Sequence, residues 1–588
     1  MCGIFGFLGE TRAASILLQG LKRLEYRGYD SAGIATVASE LHVKKDVGKI
    51  DEIHKKLNLE DLPGNIGIAH TRWATHGAVT KENAHPHVSN NGKIAVVHNG
   101  IIENYKELKK FLQESGFNFY SETDTEVIPN LIEFETKKGK NFEEACKEAF
   151  KKLEGSYAIL TIHENEKKIV AARKDSPLVI GVADNAYYIA SDIPAFLEYT
   201  KKVMYLYEYD VAIIGNSIDV FNLKEDRLVE RKVDTVEWDL EQAKKGKFDH
   251  FMLKEICEQV ETVQRAIQQD REIIEWVAGE IRNAKDVFFV ACGSSYHACL
   301  SATYIFSQIA KFYVNAVLAS EFKNYEHFLT KESLIIAVSQ SGETADVLEA
   351  VRVAKKRGSK VISIVNVMGS SLTRYSDNFL MLNVGPEICV LSTKTYTSQL
   401  ALLTLIAYAL ARKYDEGIKK LRYLWNVIYH LTSLRTREKI KELAESLKNK
   451  EHIFCIGRGL QYPTAMEAAL KIKEVSYIHA EAFAGGELKH GTIALIEKDT
   501  PCIVFVSGDN NKEIISNAME IKSRGGYIIG VATENNEIFD FWIKVPEAND
   551  LNPICQIIPI QILAYQLAIL RGCDPDRPRN LAKAVCVK

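Results

Sequence analysis

From about residue 285 the apolar positions fall into short runs separated by amphipathic helical stretches. The run 286–291 reads as a buried strand, followed by Cys-Gly-Ser-Ser and a helix through about Ala310. Segment 334–338 reads as a strand, 339–344 as a turn, 345–357 as a helix and 361–365 as the next strand. Such alternation predicts a parallel sheet covered by helices. The series then recurs, with strands 453–456, 502–506 and 527–531 and helices from about Gln461 to Val475 and over 512–524. Two copies of a doubly wound α/β unit follow, at 281–415 and 440–575. Residues 1–240 have a different texture. Short alternating strands at 33–37, 66–69, 94–97, 156–162 and 168–172 predict a layered α+β domain. Residues 241–280 read as a linker and helical entry, and 576–588 as a C-terminal tail.

At 588 residues the chain exceeds one hydrophobic core, in keeping with this division. A net charge of −3 gives no reason to expect a nucleic-acid or anionic-membrane partner. The 11 cysteines are odd in number and form no C-x-x-C pair, so a reducing, cytoplasmic setting is expected. The start Met-Cys-Gly-Ile-Phe-Gly lacks the basic region of a secretory signal. The apolar stretch 554–570 carries Gln556, Gln561 and Gln566, and a buried helix is expected there rather than a membrane span.

In open α/β sheets ligands sit at the carboxyl ends of strands. The turn Ser339-Gln340-Ser341-Gly342-Glu343-Thr344 places hydroxyls and a glycine where a strand meets a helix N-terminus. Unpaired N–H groups and the helix dipole suit a phosphate there, although Ser and Thr also serve as plain caps. Ser294 and Ser295 in the preceding strand-end loop favour the phosphate. The equivalent turn Ser507-Gly508-Asp509 ends in a carboxylate, so one phosphate site per chain is expected. Glu467, Lys471 and Glu474 stand at i, i+4 and i+7, hence on one helix face, either as a solvated salt-bridge stripe or as part of a site. His490 sits in the turn 486–491. The apolar tail would dock and deliver Lys583, whose amine can form a Schiff base.

In the first half Cys2 is the candidate nucleophile. Removal of Met1 would leave an α-amine able to act as base for the thiol. The segment 70–77, His-Thr-Arg-Trp-Ala-Thr-His-Gly, offers the Arg72 guanidinium to a carboxylate. Asn99 and Gly100, placed after a strand ending at His98, suit an oxyanion. Asp124 suits an ammonium. Together these groups describe an amino-acid amide hydrolase.

With these residues in hand the chain resembles the isomerising glutamine–fructose-6-phosphate aminotransferases over essentially its whole length. Residues 2–6, 26–33 and 70–77 resemble the class II glutamine amidotransferase domain, which implies the N-terminal-nucleophile fold with αββα layers. Residues 339–344, 387–395, 477–481, 486–491 and 579–583 resemble the tandem sugar-isomerase (SIS) domains of that family. The resemblance implies that Cys2 attacks the glutamine amide. Arg27 and Arg72 would order the glutamine site together with Thr75 and His76, and Asp124 would hold the amino group. Asn99 and Gly100 would form the oxyanion hole, and Trp73 would gate an internal ammonia channel. Ser339, Gln340, Ser341 and Thr344 would hold the 6-phosphate, with Ser294, Ser295, Val390 and Ser392 nearby. His490, given by the neighbouring subunit, would open the fructose ring. Lys583 would form the Schiff base, and Glu474 would move the proton between carbons 1 and 2, supported by Glu467 and Lys471. The resemblance implies a homodimer, small-molecule substrates, no metal and no organic cofactor. The chain lacks the long insertion of animal and fungal members, which points to the bacterial type. Cys389 and Leu391 replace smaller residues and would narrow the sugar site or channel wall. Val260 replaces a proline, altering the interdomain joint, and Ser294 replaces a threonine. Another class II amidotransferase is the first alternative, but no G-x-x-x-x-G-K-[ST] loop is present. A non-catalytic sugar-phosphate sensor is the second.

Overall fold

A computed structural model of the chain describes residues 2–73, 76–236, 244–508 and 511–586. The expectations for Thr75 and Asp509 lie outside these residues. The chain forms two compact units, Met1–Lys244 with Ala582–Lys588, and Lys245–Leu581. The tail read above as one segment is thus divided between them.

The first unit is built on strand alternation. In Gly3–Gly9, Ile4 and Leu8 face one side while Phe5 and Phe7 face the other. This strand lies between Ala186–Ala190 and Ile66–Arg72 in an eight-stranded antiparallel sheet. A second, seven-stranded sheet contains Ile94–Ile102 paired with Gly155–His163. Ile4, Ala35 and Ile68 of the first sheet pack against Val97, Leu160 and Ala171 of the second. Phe5 and Ile34 pack outward against Leu17 and Leu21 of helix Ala13–Leu24, and Val96 and Ile159 against Leu131 and Phe150 of two outer helices. The result is the expected αββα stack.

The second unit holds two five-stranded parallel sheets. In chain order, the strands of each run 2-1-3-4-5 across the sheet, so the repeat extends to topology. The first uses Asp286–Ala291, Asn315–Leu318, Ser333–Ser339, Lys360–Val365 and Asn378–Met381. The second uses His452–Gly457, His479–Ala484, Pro501–Phe505, Tyr527–Ala532 and Phe541–Lys544. In this order the crossover reverses between strands 1 and 3, and the loops following them open a crevice. In the first copy the helix that follows strand 1, Gly293–Ile305, carries Ser294 and Ser295 in its first turn, and the loop after strand 3 carries Ser339–Thr344.

Helix Asn552–Leu570 is almost wholly buried, as expected. Two of its glutamines find partners inside: Gln556 Nε2 donates to Val506 O at 2.9 Å, and Gln561 Oε1 accepts from Gln259 Nε2 at 2.7 Å. Val260 lies within helix Phe251–Ala266, where a proline would remove a backbone donor and bend the helix. Cys389 and Leu391 are fully buried in the hydrophobic core, and the Cys389 thiol donates to Pro575 O at 3.4 Å. Both therefore form part of the core, and Cys389 also stands near Lys471.

Helix Lys394–Leu410 begins under Glu387, which accepts from Thr393 N at 3.0 Å, Thr395 N at 3.1 Å and Thr395 Oγ1 at 2.7 Å. Glu387→Ala leaves buried helix-start donors unsatisfied, and a loss of about 2–3 kcal/mol is expected as a lower urea midpoint of the second unit.

Candidate functional site

In the first unit, pairing of strand Gly3–Gly9 with Ile66–Arg72 brings Cys2 beside Trp73. Trp73 N donates to Cys2 Sγ at 3.2 Å, and the thiol lies 3.4 Å from Trp73 O. Burial pushes the thiol pKa up, and the Trp73 N–H opposes that rise. Asn99 Nδ2 donates to Cys2 O at 2.9 Å. Its Oδ1 accepts from His70 Nε2 at 3.0 Å, so the amide orientation is determined from both ends. His70 is fully buried and its pKa falls to about 3, chiefly through desolvation, so it is neutral.

The strand expected to end at His98 continues to Ile102, because Asn99 and Gly100 remain paired with Ala158 and Tyr157. Gly100 has φ +129°, and a Cβ there would stand 2.0 Å from Ser156 O. Only glycine fits this position. Asp124 Oδ2 accepts from Ile102 N at 2.7 Å and is nearly buried.

Arg72 donates to the carbonyls of Gly77 and Ala78 at 3.1 Å each, and also to that of His76, so it orders its own loop. His76 Nε2 meets Tyr105 OH at 3.0 Å. Trp73 packs edge-on against Tyr29. Arg27 pairs with Asp192 at 2.6 Å, and Tyr26 OH donates to the same oxygen. Its guanidinium is thus held by Asp192, a partner the sequence reading missed. Cys586, of the tail, is buried in the same unit and near Arg27. Lys583 belongs to this unit also and is half-buried.

In the second unit the hydroxyl turn is ordered from within. Ser339 Oγ accepts from Gly342 N at 3.1 Å and lies 3.0 Å from Thr344 Oγ1; Glu343 N donates to Ser341 Oγ at 3.2 Å. Asn366 N donates to Gln340 O at 3.0 Å. Gly342 has φ +64° and lies close to Ser370, so a side chain is excluded there as well. The turn feeds helix Ala345–Lys356, the arrangement that suits a phosphate. Ser392 Oγ lies 2.5 Å from Thr395 Oγ1, and Val390 N donates to Asp576 O at 3.1 Å.

Glu467, Lys471 and Glu474 do share one face of helix Tyr462–Ser476; Glu467 and Lys471 are fully buried, and the Glu474 side chain is 20% exposed. Lys471 Nζ is 2.6 Å from Glu474 Oε2 and 3.4 Å from Glu467 Oε1. This excludes the solvated stripe. Burial works against the Lys471 charge, but the two carboxylates hold its pKa above the usual lysine value. Burial raises the Glu474 carboxyl, with Lys471 opposing. Ser294 Oγ and His297 Nδ1 reach Glu467 at 2.9 and 2.8 Å. His297 was not singled out from the sequence, although it lies three residues beyond Ser294 on one helix. Ser295 is half-buried in the first turn of the same helix, Gly293–Ile305, and His490 is exposed at the end of the turn Glu487–His490. Among the described residues no group of three or more His, Cys, Asp or Glu is placed to hold a metal.

Lys471→Met leaves the buried Glu467 and the partly buried Glu474 without their ammonium, and a loss of about 3 kcal/mol is expected at pH 8. The Glu474 carboxyl has a raised folded pKa, so its protonated form is favoured in the fold at low pH. The variant's penalty should therefore shrink as the pH falls to 5, measured as the gap in urea midpoints from the parent.

A glutamine amidotransferase domain model matches residues 70–198, and a SIS domain model matches twice, at 280–409 and 446–571. The glutamine–fructose-6-phosphate aminotransferase (isomerizing) of Thermococcus kodakarensis is 47% identical over 602 residues, with all of both chains covered. That of Pyrococcus horikoshii is 45% identical over 600 residues, again with full coverage. The solved C-terminal domain of glucosamine-fructose-6-phosphate aminotransferase from Francisella tularensis is 36% identical, with a TM-score of 0.53, covering 57% of this chain and 100% of its own. Tagatose-6-phosphate ketose/aldose isomerase from Escherichia coli, at 18% identity and a TM-score of 0.50, covers 57% of this chain and 97% of its own and shares the fold.

Proposed function

The chain belongs to the isomerising glutamine–fructose-6-phosphate aminotransferase family, and from that premise we propose how its own residues carry the reaction. It converts L-glutamine and D-fructose 6-phosphate to L-glutamate and D-glucosamine 6-phosphate, the first step of amino-sugar synthesis. The carrying observation is that one chain holds both a thiol set against an oriented amide, Cys2 and Asn99, and a carboxylate paired with a buried ammonium, Glu474 and Lys471.

In this reading the Cys2 sulfur bonds to the glutamine amide carbon, ammonia leaves, and water later releases glutamate from the thioester. The Asn99 Nδ2–H and Gly100 N–H receive the oxyanion. Asp124 takes the glutamine ammonium, while Arg72, through the loop it orders, and Arg27, through Asp192, keep the site in shape. Ammonia passes by an internal channel gated by Trp73. The turn 339–344 holds the 6-phosphate with Ser294, Ser295, Val390 and Ser392 nearby, and His490 of a second subunit opens the ring. Lys583 condenses with the C2 carbonyl, ammonia displaces it, and Glu474 carries a proton from C1 to C2. The active form is then a cytoplasmic homodimer.

Purified protein should form glutamate and glucosamine 6-phosphate in equal amounts when both substrates are present. Cys2→Ala should reduce glutamine-dependent synthesis to background, and Lys583→Arg should stop sugar conversion while leaving glutamine binding. Glutamate without amino sugar would reject the acceptor assignment. Retained synthesis in Cys2→Ala would reject the nucleophile.

A further inference from the structure

Helix Gly293–Ile305 places Ser294 and His297 three residues apart, on one face. Both reach from the first α/β copy to a carboxylate of the second. Ser294 Oγ donates to Glu467 Oε1 at 2.9 Å and His297 Nδ1 meets Oε2 at 2.8 Å. Glu467 is fully buried, and Lys471 also approaches it. With an ammonium and a hydroxyl directed at it, this carboxylate is an acceptor, so Nδ1 of His297 carries the proton. Lys471 is one ammonium shared by two carboxylates, and it stands closer to Glu474 (2.6 Å) than to Glu467 (3.4 Å).

We propose that His297 is a positioning residue for the sugar reaction: by occupying Glu467 it leaves the Lys471 ammonium on Glu474 and sets the pH at which Glu474 becomes a base. This rests on the reading of Glu474 as the group that moves the C1–C2 proton. The physical reason is competition for one cation. Glu467 is satisfied by two donors from the first copy, whereas Glu474 has Lys471 as its close ion-pair partner. Take away the imidazole and Glu467 draws the ammonium toward itself, and Glu474 loses counter-charge inside a low-dielectric site. Burial raises the Glu474 carboxyl and Lys471 opposes it most; the neighbouring Glu467 raises it further and His297 lowers it. Two other ionisable groups face the cluster. Tyr396, near Glu467, has its phenol pushed well up by burial and stays neutral. Cys389, near Lys471, has its thiol directed at Pro575 O. Neither competes for the ammonium near neutral pH.

The test uses the full-length enzyme with His297→Leu, His297→Asn and Glu474→Gln, following amino-sugar formation across pH 5–9 and glutamine hydrolysis as a control. The Asn side-chain N–H can stand where Nδ1–H stands. His297→Leu should move the acid limb of kcat/KM upward by about one pH unit, a roughly tenfold loss on that limb that shrinks toward high pH. His297→Asn should restore the parent limb, and glutamine hydrolysis should be unchanged in both. A loss equal at every pH, or an Asn variant no better than Leu, overturns the positioning role of His297 while Glu474→Gln stays inactive. A Glu474→Gln enzyme that still makes amino sugar overturns the base assignment itself.

Discussion

A lysine ammonium with no exposure to water is the constraint on which the second unit depends. Such a charge is tolerated only with close counter-charges whose own hydrogen bonds are complete. Glu474 and Glu467 supply the charge, and Ser294 and His297 complete Glu467 from the other α/β copy. The two copies are therefore not independent modules. One hydrophobic cluster runs through both, from Phe289 and Ile336 to Ile503 and Ile529, and the ionic contacts lie where the copies meet. The arrangement ties the two copies together through one shared ammonium.

A related logic governs the first unit. Asn99 is fastened by His70 at its oxygen and by the Cys2 carbonyl at its nitrogen, and Gly100 is pressed against Ser156. These groups sit on a continuous strand rather than in a loop, so the amide beside the thiol is placed by the sheet register itself. Precision of this kind is what preorganised oxyanion stabilisation requires.

Much of this was legible in the residue pattern. The inner strands of both parallel sheets are continuous apolar runs, and their ends were readable to within one or two residues. The edge strands Asn315–Leu318, Asn378–Met381 and Phe541–Lys544 were missed, because four residues with a polar end carry no distinctive period. The carboxylate–lysine face was found by helical spacing, but its burial was not, since i, i+4 spacing is the same for a wet stripe and a dry one. His297 and Asp192 escaped because each acts on a partner more than a hundred residues away. Arg72 was read as a partner for a carboxylate, whereas here it donates to carbonyls of its own loop, contacts that residue spacing does not reveal.

The last feature concerns time rather than space. Residues 582–586 pack with the unit that begins the chain, and Cys586 is buried near Arg27. Translation proceeds from the other end, and domains emerge from the ribosome in order at about 5–20 residues per second. The glutaminase unit is thus among the first parts synthesised and the last to be completed. Its final packing waits until the intervening 337 residues of the second unit, Lys245–Leu581, have been made. A nascent chain therefore carries an unfinished first unit for tens of seconds while the second is being made.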